Sequence, residues 1–267
     1  MRKGDAWMLR RLHQDIRKYY RYSVVSAKAK LKAEVANSYL NWLWWILDPL
    51  CFMLIYTFIF GYVFKTKEQF FPVFIFIGLS VWDFANKTLI ASVKIVKLNK
   101  AIISRVYFPK YILIMTKIWV NGFKMMISFG VVLLMILVNQ IQLSWNVLFF
   151  FPLILTLVLF VFGCSCFLMH HGVYVEDLSN VLNVVLRFAF YITGIFYNVE
   201  TRIPQYGELL NKINPIAYII SAIRQSLIYC ETPDCRYLIF WFLASVLLAI
   251  AGVYKIYKEE NSYVKAI

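Results

Sequence analysis

The chain has 267 residues, 61% hydrophobic and 16% charged, with a net charge of +14, and a mean hydropathy of +0.67. So apolar a composition excludes an ordinary soluble domain and points to a membrane protein, since a span needs roughly 20 apolar residues. The cations sit beside the apolar runs, not on one soluble face, so anionic lipid head groups fit them better than nucleic acid.

Residues 1–42 hold ten lysines and arginines. The first 30 show no apolar h-region, so no cleavable signal peptide is expected. Leu9, Leu12, Ile16 and Tyr20 recur at helical spacing, as do Leu31, Val35, Tyr39 and Trp42, with cations on the other faces. This stretch reads as an amphipathic helical region lying in the head-group plane; an ordinary cytoplasmic helix is the alternative.

From residue 43 to 267 the chain reads as one all-α membrane domain of six spans, at roughly 43–64, 71–92, 111–138, 147–169, 183–199 and 237–256. Met125 to Val175 carries no charged side chain. Six cations lie between Lys87 and Lys110, against Lys65 and Lys67 in the first connecting loop. The positive-inside rule then places both termini in the cytoplasm. The external stretch 200–236 holds Pro204, Pro215 and Pro233 and the apolar run Ile216–Tyr229, too short to cross and too apolar for a free loop. A re-entrant or interface-lying helical hairpin between spans five and six is expected.

Between spans two and three, residues 95–107 place Ile95, Val96, Leu98, Ile102, Ile103, Val106 and Tyr107 within half a helical circumference, with Lys97, Lys100, Ser104 and Arg105 opposite. Asn99 is the one polar side chain on the apolar side, and Pro109 stops or restarts the helix. A short amphipathic helix across the cytoplasmic mouth is predicted. It is either a docking element or a connector whose cations enforce topology.

Intramembrane charges invite functional attention: Asp48, the pair Asp83 and Lys87 at ion-pair spacing, Lys117, Lys124 and Arg187. Arg17, Lys18, Arg21, Lys28, Lys30 and Lys32 suit either a pyrophosphate head group or anionic lipid. Phe52, Tyr56, Phe60, Trp82, Phe84, Trp119, Phe190, Tyr191 and Tyr197 put many flat apolar rings in the spans, candidates for lining a path; each singly is equally a packing or lipid-facing ring.

The stretch Leu98–Leu113, "LNKAIISRVYFPKYIL", resembles the coupling-helix segment of type-2 ABC exporter permeases of the polysaccharide, O-antigen and teichoic acid class. Residues 38–61, "SYLNWLWWILDPLCFMLIYTFIFG", are similar to that family's start of span one, 176–199 to its fifth span, and 214–229, "NPIAYIISAIRQSLIY", to its external helix. The sequence departs from the family at Glu34-Val35-Ala36, Asn41, Glu176 and Gly194, where Arg-Tyr-Arg, Gly, Arg and Pro are usual; Lys28, Lys30 and Lys32 would stand in for the arginines. The resemblance implies a bacterial plasma-membrane permease working as a homodimer with two copies of a separate ATPase subunit. That ATPase would hold ATP and Mg, with no cofactor on this chain, and Asn99, Lys100, Ile103 and Arg105 would form the docking surface. The cargo it implies is a polymer on a polyprenyl pyrophosphate lipid. None of the ten glycines is followed by Lys, so no Walker A loop is present.

Two other classes stay open. A membrane enzyme of lipid-linked glycan metabolism would need a centre such as His170-His171 with Glu176 and Asp177, but adjacent histidines point apart on a helix and His13 is remote. A secondary transporter or channel would need broken helices with paired acids near the midplane, and the spans hold few acids. Cys230 and Cys235, on the expected outer side, read as a disulfide or as two free thiols.

Overall fold

The computed structural model describes residues 3–36, 41–66, 68–105, 107–202 and 205–266, and every regular element among them is helical. α1 (Lys3–Val35) precedes α2 (Asn41–Tyr56), which widens into a π-helix over Thr57–Val63. α3 (Phe71–Leu98) and the single turn α4 (Lys100–Ile103) lead to α5 (Tyr111–Val138). A 3₁₀ turn (Trp145–Phe149) opens α6 (Phe150–Tyr174), and α7 (Leu178–Ile192) follows. Then come α8 (Val199–Arg202), α9 (Gly207–Ile213), α10 (Pro215–Leu227) and the long α11 (Cys235–Ala266). Five stretches are long and apolar enough to cross a membrane: Trp42–Val63, Phe71–Leu98, Tyr111–Val138, Trp145–Tyr174 and Cys235–Glu260.

Why α3 is central follows from its sequence. Pro72 pre-sets its first turn, and from Phe71 to Val96 it is apolar on nearly every face, the pattern of a helix surrounded by others. Its most apolar window is 78% buried, against 6% for Trp42–Val63. α3 is thus wrapped by α5, α6, α7 and α10, while α2 lies on the outside with Phe52, Leu54, Ile55, Phe58 and Tyr62 exposed.

Close backbone approach welds three helices together. A Cβ on Gly163 would lie 2.9 Å from the Ala249 amide nitrogen, and one on Gly252 2.6 Å from Cys166 Cβ, so α6 and α11 touch through small residues. A Cβ on Gly172 would fall 2.2 Å from the Val93 carbonyl oxygen, bringing α6 equally close to α3. α1 lies along α5: Tyr20 meets Trp119 edge-on at 5.8 Å and Leu31 and Val35 are half-buried, whereas Ile16 is exposed. The side chains of Leu9 and Leu12, and residues Tyr39, Lys67, Val106 and Pro204 of the sequence patterns, lie outside the described residues.

Two expected elements are corrected. The span expected at 183–199 is instead α7, 15 residues ending at Ile192, about 22 Å long and so short of the roughly 30 Å of hydrocarbon. The chain turns there because Gly194 takes the left-handed conformation (φ +71°). The helix expected over 95–107 is not continuous. α3 runs on to Leu98; there Asn99 donates its side-chain amide to the Ile95 carbonyl (2.6 Å), leaving only one further turn, Lys100–Ile103.

Arg224 on α10 locks the turn after α7. It is 5% exposed and donates to the carbonyls of Phe74 (3.1 Å), Gly194 (2.8 Å) and Ile195 (2.8 Å), with the Phe74 ring 3.4 Å away. A Cβ on Gly78 would sit 2.6 Å from its Nη2, so only glycine leaves room. α10 is in turn capped by Asn214, whose side-chain oxygen accepts from the Ile216 and Ala217 amides (3.1 and 3.3 Å). Replacing Arg224 with Met removes three buried hydrogen bonds and strands the Gly194 and Ile195 carbonyls, and should cost about 3 kcal/mol or more. The unfolding midpoint in detergent is expected to fall well below wild type for Arg224→Met, with Arg224→Lys recovering only part of the loss. Thermal unfolding followed by size-exclusion chromatography checks both.

Candidate functional site

Three cavities follow one another along α2 and its π-helical extension. The first, about 300 Å³, is lined by Trp44, Trp45, Asp48, Asp83, Lys87, Asn121 and Lys124. The second, about 480 Å³, shares Asp48, Pro49 and Asp83 with it and adds Phe52, Tyr56, Trp82, Arg187, Phe190 and Tyr191. The third, about 390 Å³, lies between Phe60, Phe64, Phe196, Tyr197 and Arg202. The groove therefore runs the length of the first apolar helix, charged at the Trp44 end and aromatic beyond Phe52.

Rings pack around Phe196, which the turn at Gly194 tucks inward to 2% exposure. Its centroid lies 4.5 Å from Tyr56, 4.8 Å from Phe60, 5.0 Å from Phe190 and 6.2 Å from Tyr191. Phe52 stacks on Tyr56 and Trp82 leans on Phe190, while the Tyr197 hydroxyl donates to the Tyr191 carbonyl (2.9 Å). Seven of the nine rings expected to line a path thus gather in one region. Phe84, buried where α3 faces Gly122 of α5, lines the first cavity instead, and Trp119 packs under Tyr20 of α1. The helical spacing of aromatics could not separate these two, because each helix presents rings on more than one face. Phe196 itself was missed, although the dense run "FAFYITGIFY" around a glycine signalled it.

The acids and lysines at the Trp44 end of the groove are paired. Lys87 Nζ is 2.8 Å from Asp83 and 4.0 Å from Asp48, and Lys124 reaches across to Glu34 of α1 (2.6 Å) over the Trp45 ring (5.3 Å). Asn121 donates to the Thr88 hydroxyl (2.9 Å) behind them.

The α1 cations divide into two groups. Arg17, Lys18, Arg21, Lys28 and Lys32 are exposed, whereas Lys30 is half-buried. Burial and the approach of Lys117 hold the Lys30 amine below the ordinary lysine range. In the segment after α3, Lys100 and Arg105 are exposed, Asn99 is half-buried on its bond to Ile95, and Ile103 is buried. Ile103 belongs to a cluster with Ile95, Val96, Phe108 and Tyr111, and so anchors the segment. Lys97 is bonded to Glu176 (2.9 Å), which holds that carboxyl below the usual carboxylate range.

His170 Nδ1 lies 2.8 Å from the Tyr263 hydroxyl, while His171 is exposed on another face. Cys230 and Cys235 are free thiols.

Residues 25–228 match the family described as ABC-2 type transporter. An "O-antigen export system permease protein RfbA" from Klebsiella pneumoniae is 26% identical over 231 residues, 86% of this chain and 88% of the relative. A protein of the same name from Myxococcus xanthus is 22% identical over 253 residues, 94% of this chain and 97% of the relative.

Because Lys87 serves both carboxylates, Lys87→Met should lower the unfolding midpoint in detergent by leaving Asp83 and Asp48 facing each other. Lys87→Met with Asp83→Leu should regain most of it, since removing both partners leaves no stranded charge. A double-mutant cycle on thermal unfolding measures this.

Proposed function

The chain belongs to the ABC-2 type transporter family, and from that premise we propose that it is the permease subunit of an ATP-driven exporter. Its cargo in this reading is a polysaccharide of the O-antigen class on a polyprenyl pyrophosphate carrier, moved from the cytoplasmic to the outer side of a bacterial plasma membrane. The relatives' names point to O-antigen ahead of the teichoic acids. The observation that carries this reading is the groove along α2, with its run of rings around Phe196. Aromatic faces match the C–H faces of sugars without holding any one residue tightly, which suits a sliding polymer.

The groove is open on one side, and the apolar face of α2 is interrupted by Asp48, with Asp83 and Lys87 of α3 beside it. Charges facing hydrocarbon are costly. A second copy covering α2 and α7 would shield them and enclose a polymer-sized path, so the working unit is a homodimer. Both termini lie in the cytoplasm by the positive-inside rule. α1 lies at that interface as part of the region 1–42, and residues 43–267 form the permease domain. α7 is too short to cross by itself, and the stretch 200–236 forms an external re-entrant hairpin that shields its short end. The cations Arg17, Lys18, Arg21, Lys28 and Lys32 gather the pyrophosphate and anionic lipid head groups at the inner surface, and Lys30 beside Lys117 offers a half-buried pair of amines to the same anion.

ATP and Mg belong to a separate subunit present in two copies, which docks on Lys100 and Arg105; Asn99 and Ile103 hold the segment's shape from behind. Copurification with the ATPase, followed by ATP hydrolysis with and without polyprenyl-pyrophosphate-linked O-polysaccharide, tests the whole reading: stimulation is expected, and export without any ATPase would overturn it. Lys100→Glu with Arg105→Glu should abolish export while the permease remains folded. Phe196→Ala should reduce export several-fold with the ATPase still bound, measured as polymer reaching the outer surface.

A further inference from the structure

Behind the ATPase-facing segment, three separate parts of the chain each present two polar groups three or four residues apart, and the three pairs interlock. The connector and the start of α5 supply Tyr107 and Tyr111, α1 supplies Arg11 and Asp15, and α11 supplies Tyr257 and Glu260. The Tyr107 hydroxyl donates to Glu260 Oε1 (2.8 Å), and Arg11 donates to the same oxygen (2.9 Å) and to the Tyr107 hydroxyl. The Arg11 guanidinium lies 4.5 Å over the Tyr257 ring. The Tyr257 hydroxyl donates to Asp15 (2.7 Å) and lies 3.2 Å from that of Tyr111. The connector cannot shift without drawing both ends of the chain with it.

Glu260 is the point where all three meet. It is 7% exposed, and its second oxygen, Oε2, is buried with no hydrogen-bond partner among the described residues. A half-satisfied buried carboxylate is a poor choice for stability alone, since apolar residues of similar volume commonly do as well or better. What it does provide is a directional tie. Burial and the bond to Glu260 push the Tyr107 hydroxyl up to about 12, so it remains a donor throughout the physiological range.

The tie leads somewhere definite. α11 is fused to α6 through Gly163 and Gly252, and α6 to α3 through Gly172, whereas α2 remains outside that block with only 6% of its apolar window buried. A displacement received at Lys100 and Arg105 would therefore move α1 and the α3–α6–α11 block as one body relative to α2.

We propose that Glu260 is a positioning residue for energy coupling, joining the ATPase-facing connector to α1 and α11 so that ATP-driven movement reaches the helices beside the groove. This rests on the exporter reading above. Its consequence is that loss of the tie separates ATP hydrolysis from transport without dissociating the ATPase.

The test uses the full chain reconstituted with its ATPase subunit in proteoliposomes containing polyprenyl-pyrophosphate-linked O-polysaccharide, with polymer exported per ATP hydrolysed as the readout. Glu260→Ala should retain the ATPase on copurification yet export at least about fivefold less per ATP, the low end of ordinary coupling free energies. Glu260→Gln, which keeps an acceptor for Tyr107 and Arg11, should recover most of the ratio, and Glu260→Ala with Tyr107→Phe should be no worse than the poorer single variant. Wild type that exports nothing under ATP overturns the exporter reading itself. Wild type that exports, beside Glu260→Ala with an unchanged ratio, overturns this inference alone. Should Glu260→Ala fail to fold, Tyr107→Phe, which removes one hydroxyl, decides: an unchanged export ratio overturns the proposal.

Discussion

The buried guanidinium of Arg224 is the constraint from which the outer half of the molecule follows. A helix that stops within an apolar layer leaves carbonyl groups that neither lipid nor water can satisfy. Here the end of α7 and the turn at Gly194 are met by a side chain with donors enough for Gly194, Ile195 and Phe74 together. The glycine at position 78 makes the space, and Asn214 secures both the start of α10 and, through a 3.2 Å bond to the Thr193 hydroxyl, the turn itself. Once that turn is held, Phe196 is directed inward and the surrounding rings have a centre on which to pack. The shape of the aromatic groove is thus a consequence of satisfied backbone.

A second division runs through the helices. α3, α6 and α11 approach through glycine and bury their faces against one another. α2 is held by fewer contacts, kept helical past Pro49 and widened by a π-helical stretch. π-turns are uncommon and tend to occur where a helix must present side chains in an unusual direction; this one carries Phe60 and faces the third cavity. The least buried helix is therefore the one along which all three cavities lie.

Two departures from the family pattern have a common explanation. Glu34 and Glu176 stand where arginines are usual, and each finds a lysine on another element: Lys124 of α5 and Lys97 of α3. At Glu176 the pair is solvent-exposed and contributes little to stability, but at Glu34 it joins α1 to the charged end of the groove.

Residue order alone determined the membrane class, most of the apolar helices and the break at Pro109, because hydrophobic length and chain-breaking residues are local properties of a stretch of chain. It also located α10 with its Asn214-Pro215 start, since capping chemistry is read from adjacent residues. What it could not decide was where a helix stops when the stop depends on a distant donor. α7 ends at Ile192, and the turn after it is held because Arg224 donates to the carbonyls of Gly194 and Ile195, 30 and 29 residues before it; the 95–107 helix breaks because Asn99 turns on its own backbone while Ile103 buries against α5 and α6 residues. Nor could helical periodicity tell which rings gather around Phe196 and which, like Phe84 at the charged end and Trp119 under α1, do not. Those choices, and the meeting of Arg11, Tyr107 and Glu260, join residues as many as 249 positions apart, and only the packed chain brings such groups within bonding distance.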